Sequence, residues 1–256
     1  MSRVFVTGSA DGLGLMAARR VVEAGHRVVV HGRNRQRADH ALEASGAEAA
    51  VSGDLESVQE TRALAEQVNR LGKFDAVIHN AGVGYRDRQR VETVDGLPRV
   101  FAVNSLAPYI LTALITKPER LVYVSSGMHH GADGSLEDLT WAARPWNGSN
   151  AYADSKLHDV ILAFAVARKW PDVYSNAIEP GWVATKMGGA SAPDDLDAAP
   201  RTQVWLATSD EPRALVSGKY FYHMRLRQAD SAASDESVQE QFLAQCARLS
   251  GVAFPT

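Results

Sequence analysis

Two side chains suited to proton transfer stand four residues apart in the segment AYADSKL, residues 151–157. They are the phenol of Tyr152 and the ammonium group of Lys156. On a helix this spacing puts both on one face, one turn apart. A lysine ~4 Å from a phenolate, at an effective dielectric of ~20, stabilises it by roughly 4 kcal/mol. We therefore expect Lys156 to lower the pKa of Tyr152 by up to about 3 before desolvation opposes it, which would suit the phenol to acid–base work at neutral pH.

A glycine cluster lies near the start of the chain, where TGSADGLG covers residues 7–14. A short β-branched run precedes it and a helical pattern follows at once. Glycines at 8, 12 and 14 allow a tight turn and let backbone N–H groups approach a pyrophosphate at the helix N-terminus. Between a first strand and a first helix, this cluster predicts a dinucleotide site.

The elements that must position these groups alternate along the chain. Strands are predicted at residues 3–7, 27–31, 49–52, 74–79, 120–125, 173–178 and 219–222. Helices are predicted at residues 12–24, 37–45, 55–71, 97–115, 151–169, 201–208 and 236–249. Strands separated by helices imply right-handed βαβ crossovers, so we predict an α/β fold, a Rossmann-type doubly wound parallel sheet with helices on both faces. One domain over residues 1–256 fits this length, and ligands bind such sheets at the carboxyl ends of the strands.

Pro108 lies inside the predicted helix at residues 97–115. Proline has no N–H, so the carbonyl of Asn104 loses its helical partner and the helix should kink there. Parts of this helix and of the next, at residues 106–115 and 160–167, are apolar on every side. Such helices must be buried all round, against the sheet and against either a partner subunit or the insert at residues 127–150.

Composition excludes several classes of function. A net charge of −3 gives no sign of a nucleic-acid partner or an anionic membrane. Cys246 is the sole cysteine, which fits a reducing cytoplasm, and we expect neither a signal peptide nor a membrane span. His129 and His130 have no further ligand at a recognisable spacing, so we predict no metal site and a solvated loop there. The chain lacks a G-x-S-x-G nucleophile elbow, which argues against an α/β-hydrolase.

The glycine spacing, TGxxxGxG, resembles that of the short-chain dehydrogenase/reductase family in its shorter oxidoreductase branch. The extended branch would have glycine at position 11, where this chain has Asp11. The resemblance covers nearly the whole chain, although His79 replaces an asparagine that is usual in the family. The insert and the C-terminal segment KYFY, residues 219–222, are similar to the retinol-dehydrogenase-like subgroup.

The resemblance implies roles for particular residues. It implies a catalytic tetrad of Asn104, Ser126, Tyr152 and Lys156, and it puts Asn104 near Lys156. Because Pro108 leaves the Asn104 carbonyl without a helical partner, we expect a water between that carbonyl and Lys156 that returns protons to Tyr152. Together with the glycine loop, it implies a cofactor site formed by Gly8, Ser9, Asp11, Gly12, Leu13, Gly14, Arg33, Asp54, Leu55, Asn80, Ala81, Gly82, Tyr152, Lys156, Pro180, Gly181, Val183 and Thr185.

The end of the second strand bears on the choice of nicotinamide cofactor. An NAD enzyme carries a carboxylate there for the ribose 2′-hydroxyl, but residue 32 is glycine. Arg33 could instead form a charge-assisted contact to a 2′-phosphate, which favours NADP(H) over NAD(H). Asp11 argues the other way, and Arg35 and Arg37 could be a solvated run that starts the next helix.

Together these residues predict an NADP(H)-dependent oxidoreductase that moves hydride between nicotinamide and a carbonyl or alcohol. Apolar residues in the pocket loops favour a largely apolar small molecule, although Trp141, Trp146 and Trp182 could instead pack the insert. Two alternatives remain open, namely a regulatory protein that senses NADP(H) without turnover and an NAD-linked alcohol dehydrogenase. As in many relatives, the chain could form a homodimer or homotetramer.

Overall fold

One eight-stranded sheet organises the protein in the computed structural model, which describes residues 1–255. Its strands are β1 Arg3–Val6, β2 Arg27–Gly32, β3 Ala49–Ser52, β4 Ala76–His79, β5 Arg120–Val124, β6 Tyr174–Glu179, β7 Lys219–Tyr222 and β8 Arg225–Arg227. Their order is β3-β2-β1-β4-β5-β6-β7-β8, with β1 to β7 parallel and β8 antiparallel to β7. The predicted α/β doubly wound sheet is therefore confirmed.

Helices connect the parallel strands, and capping residues decide where they begin. They are α1 Gly12–Glu23, α2 Arg35–Ser45, α3 Val58–Arg70, α4 Arg99–Phe101, α5 Ala107–Leu114, α6 Gly148–Lys169, α7 Arg201–Thr208 and α8 Glu236–Ser250. Helix α3 starts three residues later than predicted, because the Ser57 side chain caps it by accepting the N–H of Glu60. Helix α6 starts three residues earlier than predicted, because Asn147 caps it by accepting the N–H of Asn150.

The sheet separates two apolar layers. Side chains alternate between its faces, so Phe5 packs toward α3, α5 and α6 while its neighbours Val4 and Val6 pack toward α1 and α7. Both faces are buried, and the strands accordingly read as nearly continuous runs of apolar residues.

A π-helical turn at Ala102–Leu106 interrupts the helix predicted over residues 97–115, close to the expected kink. The N–H of Ala107 donates to the carbonyl of Ala102, five residues back. Pro108 then falls within the first turn of α5, directly after this π-helical turn. The expected irregularity at Asn104 is present, but it is a widened turn rather than a simple proline kink.

The C-terminal segment covers the outer faces of α5 and α6. Phe242 of α8 stacks on His158 of α6 with ring centroids 5.0 Å apart. Beyond α8, Phe254 stacks on Trp170 at 5.1 Å, and the Tyr109 hydroxyl donates to the Val252 carbonyl at 2.8 Å. Cover for these all-apolar helices is thus supplied within the chain by α8 and the tail, and Leu136 and Leu139 of the insert pack into the same core.

Strand β8 is absent from the predicted elements. It follows β7 through a two-residue turn at His223 and Met224, both with positive φ, at 47° and 59°. Such hairpin turns normally carry Asn-Gly or a similar pair, so these two residues carry no recognisable turn signal. Among the described residues, no helix combines the length and the apolar composition that crossing a bilayer requires.

Replacing His158 with Gln should change how stability responds to acid. Burial lowers the pKa of His158 to about 3, whereas an unfolded histidine titrates near ~6.5. The unfolded state therefore binds the proton first, and the stability that the neutral ring confers, complete above pH ~6.5, is lost as pH falls toward 3. Between pH 7 and pH 5 this loss amounts to roughly 2 kcal/mol in the wild type and is absent from the variant. Urea unfolding of both proteins at the two pH values tests this, and equal losses would contradict it.

Candidate active site

A cavity of about 1240 Å³ opens along the carboxyl ends of the parallel strands, where the sequence predicted ligand binding. Nearly all the residues predicted for the cofactor and for catalysis line it. They are Gly8, Asp11, Gly12, Leu13, Gly14, Arg33, Asp54, Leu55, Asn80, Ala81, Gly82, Ser126, Tyr152, Lys156, Pro180, Gly181, Val183 and Thr185. From that predicted set, Ser9 and Asn104 lie outside the lining, and both are buried behind it.

The glycine loop nests against the turn that follows β4. Gly8 has φ +62°, and a Cβ there would lie 2.7 Å from the Cα of Ala81. A Cβ on Gly14 would lie 2.4 Å from both the Asn80 amide nitrogen and the Gly8 carbonyl oxygen. Asn80 donates from that amide to the Thr7 carbonyl at 3.0 Å. Only glycine fits this close approach, which sets the start of α1 at the edge of the cavity.

His31, a residue for which the sequence suggested no role, supports the loop from below. Its Nδ1 accepts the Gly8 N–H at 3.0 Å, so its Nε2 must carry the proton that is donated to the Gly53 carbonyl at 2.9 Å. Burial lowers the pKa of His31, and the ring stays neutral. The Ser9 hydroxyl donates to the Val6 carbonyl and accepts the His31 N–H, so the placement of Ser9 does not support its predicted cofactor contact.

Charged side chains surround the end of β2. A Cβ on Gly32 would lie 2.3 Å from the backbone nitrogen of Ala38, so no carboxylate side chain fits at this position. Arg33 is exposed at the cavity edge, and Arg37 lines the cavity and pairs with Asp11 at 2.8 Å. Asp11 also binds Lys186 at 2.9 Å. Arg35, unlike Arg33 and Arg37, is a solvated helix residue that pairs with Asp39.

The predicted proton donor lies deep in the cavity. Tyr152, in the second turn of α6, is 7% exposed, and the Lys156 ammonium is 5.6 Å from its ring centroid. Ser126 lies two residues beyond the end of β5 and is half-buried in the lining of the same cavity, and its side chain accepts the N–H of Met128 at 3.2 Å. Tyr85 packs edge-on against Tyr152, with ring centroids 5.5 Å apart.

Lys156 has a buried partner that sequence reasoning missed. Its ammonium donates to the Asp159 carboxylate at 2.9 Å and to the Val124 carbonyl at 2.9 Å. Asp159 lies one turn further along α6, and its side chain is 3% exposed. The spacing of three residues was the available signal, because it places both groups on one helix face.

The expected lowering of the Tyr152 pKa is wrong in direction. Burial raises the pKa of Tyr152, and this effect together with the Asp159 charge outweighs the opposing influence of Lys156 and of the Ser126 hydroxyl. The expectation set the lysine against desolvation alone. It omitted the carboxylate that neutralises the lysine and underweighted the cost of a phenolate out of water.

Asn104 is fully buried within the π-helical turn and connects two segments of the site. Its side chain accepts the Val83 N–H at 2.8 Å and donates to the Val83 carbonyl and the Ser155 hydroxyl, both at 3.0 Å. A Cβ on Gly82 would lie 3.6 Å from both the Asn104 Oδ1 and the Lys156 Nζ. Asn104 is thus near Lys156, as the resemblance implied, and the water relay stays a prediction.

The tryptophans divide between the two roles left open. Trp141 and Trp146 pack against each other at 5.5 Å, and the Trp146 ring nitrogen donates to the Asp87 carbonyl, so both hold the insert on the protein. Trp182 is 55% exposed and lines the cavity. Its ring nitrogen donates to the Gly188 carbonyl, beside Met187, which also lines the cavity.

One arginine anchors the insert to α6. Arg144 pairs with Asp154 at 2.6 Å and lies over the ring of Trp141 at 3.6 Å. The Asp138 carboxylate accepts three successive backbone N–H groups, from residues 142 to 144. Asp154 is thereby fixed two residues beyond Tyr152, with a side chain only 4% exposed.

Two further polar residues lie beside the segment that begins at Ser126. Glu179 lines the cavity at the end of β6, and burial raises its pKa. His129 was predicted to be solvated, but it is buried: its Nδ1 donates to the Ser126 carbonyl at 2.8 Å and its Nε2 accepts the Asp230 N–H at 3.1 Å. Within residues 1–255, no cluster of three side chains is suited to bind a metal.

Comparison with known proteins matches a family over most of the chain. The family model described as short chain dehydrogenase matches residues 2–196. An uncharacterized oxidoreductase of Emericella nidulans is 46% identical, covering 100% of this chain and 99% of the relative. A short-chain dehydrogenase of Gibberella zeae is 39% identical, covering 100% of both. Human retinol dehydrogenase 13 is 28% identical, covering 99% of this chain and 86% of the relative.

Solved structures share the fold. A crystal structure of an uncharacterized protein from Mycobacterium paratuberculosis has a TM-score of 0.86 at 24% identity, covering 100% of this chain and 96% of that one. A blue fluorescent protein from a metagenomic library, solved in complex with NADPH, has a TM-score of 0.68 at 21% identity, covering 86% and 95%. At these identities the likeness concerns the fold alone.

Replacing Gly14 with Ala should damage the glycine loop specifically. The added methyl group would meet the Gly8 carbonyl and the Asn80 amide at 2.4 Å, so the loop must shift. We expect affinity for NADPH and NADH to fall alike, by about tenfold or more, which corresponds to ~1.4 kcal/mol. Gly131→Ala is the matched control, because nothing lies within 4 Å of its Cβ position and its φ is not positive. Fluorescence titration of both variants measures the affinities, and an unaffected Gly14 variant would contradict the expectation.

Proposed function

The chain belongs to the short-chain dehydrogenase family, as its motifs predicted, and on that premise we propose that it is an NADP(H)-dependent reductase of a largely apolar carbonyl compound. The supporting observation is that one cavity has a glycine loop at one end and Ser126, Tyr152 and Lys156 at the other. We propose that residues 1–256 form one catalytic domain, located in the cytoplasm. The oligomeric state stays a prediction.

The residues around the cavity fit a nicotinamide dinucleotide. The loop of Gly8, Gly12 and Gly14 leaves space beside the N-terminus of α1, where a pyrophosphate would be bound by backbone N–H groups. Asp54 and Leu55 would contact the adenine, and the segment from Pro180 to Thr185 would contact the nicotinamide. When bound, the cofactor would supply or accept the hydride.

A preference for NADP(H) is proposed from the charges at the end of β2. Gly32 excludes the carboxylate that a ribose 2′-hydroxyl would need, and Arg33 lies exposed and free to approach a 2′-phosphate. Arg37 lines the same end of the cavity, and its pairing with Asp11 would orient it toward the ligand. The fold is also represented by a protein solved with NADPH, which is compatible with this preference.

Tyr152 is proposed to donate the proton in carbonyl reduction. As hydride reaches the carbonyl carbon, the Tyr152 hydroxyl would give its proton to the carbonyl oxygen, and the Ser126 hydroxyl would donate a hydrogen bond to that oxygen. A phenol whose pKa is raised stays protonated at neutral pH, so it is ready to donate. Lys156 would stabilise the phenolate left behind and would contact the nicotinamide ribose.

The substrate end favours a mainly apolar molecule with some polar character. Met128, Trp182, Val183 and Met187 line the cavity together with the polar side chain of Glu179. Turnover on a panel of ketones, aldehydes and alcohols, run with NADPH and NADH in parallel, tests the proposal. Cofactor binding without turnover on any of them would favour a sensor, and a preference for NADH would favour an NAD-linked dehydrogenase.

Tyr152→Phe should keep the fold and cofactor binding but lower kcat by ~10²–10⁴, the usual range for a positioned acid. The ring remains to pack against Tyr85, so the packing control is built into the substitution. Steady-state kinetics on a panel substrate, with circular dichroism to verify folding, measures this. A kcat equal to that of the wild type would remove Tyr152 from the mechanism.

Arg33→Ala should weaken NADPH binding by roughly 1.5–3 kcal/mol, the scale of a hydrogen bond to a charged group. NADH affinity should barely change, because NADH lacks the 2′-phosphate. Arg35→Ala is the matched control, since Arg35 pairs with Asp39 outside the cavity and should affect neither cofactor. Titrations with both cofactors measure the difference, and equal losses for NADPH and NADH in the Arg33 variant would show that Arg33 is structural.

A further inference from the structure

The ion pair between Lys156 and Asp159 is buried next to the proposed proton donor. The two side chains are 5% and 3% exposed, and the Lys156 Nζ lies 2.9 Å from the Asp159 Oδ2. A further 2.9 Å hydrogen bond to the Val124 carbonyl fixes the ammonium from the sheet side. The Lys156 charge that acts on Tyr152 is therefore already balanced by the Asp159 carboxylate.

Stability alone does not account for this pair. Taking two charges out of water costs several kcal/mol each, and replacing a buried ion pair with apolar residues is often neutral or stabilising. On α6 the flanking Leu157 and Val160 are both fully buried, so an apolar side chain would suit the environment of position 159. A carboxylate in such a place calls for a reason in the chemistry of the site.

We propose that Asp159 is a positioning residue that neutralises Lys156 and thereby keeps Tyr152 a protonated acid, biasing the protein toward carbonyl reduction over alcohol oxidation. Reduction needs the phenol, which gives its proton to the carbonyl oxygen. Oxidation needs the phenolate, which takes the proton from the alcohol. The inference rests on the proposed function in identifying Tyr152 as the group that exchanges this proton.

The surrounding groups leave Lys156 and Asp159 in control. Tyr85 from the loop after β4 packs on Tyr152, and Tyr123 from β5 lies near Asp159 with its pKa raised by burial. His79, which stacks on Tyr123 at 4.8 Å, is neutral because burial lowers its pKa to about 3. From the π-helical turn Asn104 contributes an uncharged amide. Among the described residues, the charged side chains that act most strongly on the Tyr152 phenol are thus those of the pair.

At neutral pH the Asp159 carboxylate is ionised, so its charge acts on Tyr152. Burial raises the pKa of Asp159 to about 6, despite the opposing charge of Lys156. Above that pH the carboxylate is ionised and disfavours a phenolate nearby. Below it Asp159 is protonated and the lysine charge is unopposed, but there the phenol is protonated in any case. Removing the carboxylate by substitution is therefore more informative than acidifying the wild type.

The direct test follows ionisation of Tyr152 in the cofactor-free protein. The tyrosinate absorbance of each protein is titrated with pH, and the signal of Tyr152 is isolated by subtracting the same titration in the Tyr152→Phe background. With Asp159→Asn, the Tyr152 signal should appear at a pH lower by about one to two, the scale for removing one nearby charge at a dielectric of ~20. Asp154→Asn is the matched control, because it neutralises another buried, ion-paired carboxylate of α6, and it should leave the titration of Tyr152 unchanged.

A kinetic readout follows the same proton. In Asp159→Asn the alkaline limb of carbonyl reduction should move to lower pH by the same interval. Alcohol oxidation at pH 7 should rise by roughly three- to tenfold for each pH unit that the limb moves, because the phenolate becomes more abundant but is a weaker base. A folded Asp159→Asn protein in which Tyr152 titrates as in the wild type overturns the proposal. If that variant does not fold, Asp159→Ser replaces it and is held to the same change.

The two proposals fail in different ways. If Tyr152→Phe retains full turnover, the proposed function fails, whatever Asp159 does to the phenol. If Tyr152→Phe is inactive and the titration of Tyr152 does not respond to Asp159, the role of Asp159 fails while the function stands.

Discussion

The close approach of two backbone turns at the carboxyl edge of the sheet is the constraint on which the site depends. The loop after β1 lies against the turn after β4 so tightly that a methyl group at Gly8 or Gly14 would collide with Ala81 or with Asn80. Asn80 and Thr7 tie these turns together through hydrogen bonds. Because the loop is pulled in, α1 begins at the edge of the cavity with its N–H groups facing it, and the cavity extends unbroken toward Tyr152.

Desolvation then decides the charge state of the groups behind the cavity. His31, His79 and His158 are all held neutral by burial, which lowers the pKa of each and makes them hydrogen-bonding and packing elements rather than charges. Lys156 keeps its charge at an equally buried position because Asp159 raises its pKa against the cost of burial. The carboxylate that compensates for burying the Lys156 charge therefore lies one turn along α6. On the sheet side Val124 offers only a carbonyl.

The outer layers hold this arrangement through contacts between segments remote in sequence. Helix α8 and the tail cover α5 and α6, so the face of α6 opposite the sheet is buried within one chain. On the other side of the site, Arg144 clamps the insert to Asp154, and Trp146 fastens it to the loop at Asp87. His129 joins the segment after Ser126 to the residues before α8, so the substrate end is supported by the C-terminal part of the chain.

The sequence by itself determined the fold class, the position of the cavity and most of its lining. Those features follow from local regularities: alternating apolar strands, helical periodicity, glycines between β1 and α1, and the Tyr152–Lys156 spacing. Only the tertiary structure decided the direction in which the Tyr152 pKa moves and the partner of Arg37, and revealed the support that His31 gives to Gly8. Those outcomes depend on burial and on contacts between distant residues. Even Asp159, three residues from Lys156, acquires its importance from burial, because the same pair on a solvated helix face would be worth little. Periodicity predicts which helix face a residue occupies. The extent to which water is excluded from that face depends on all the elements that pack against it.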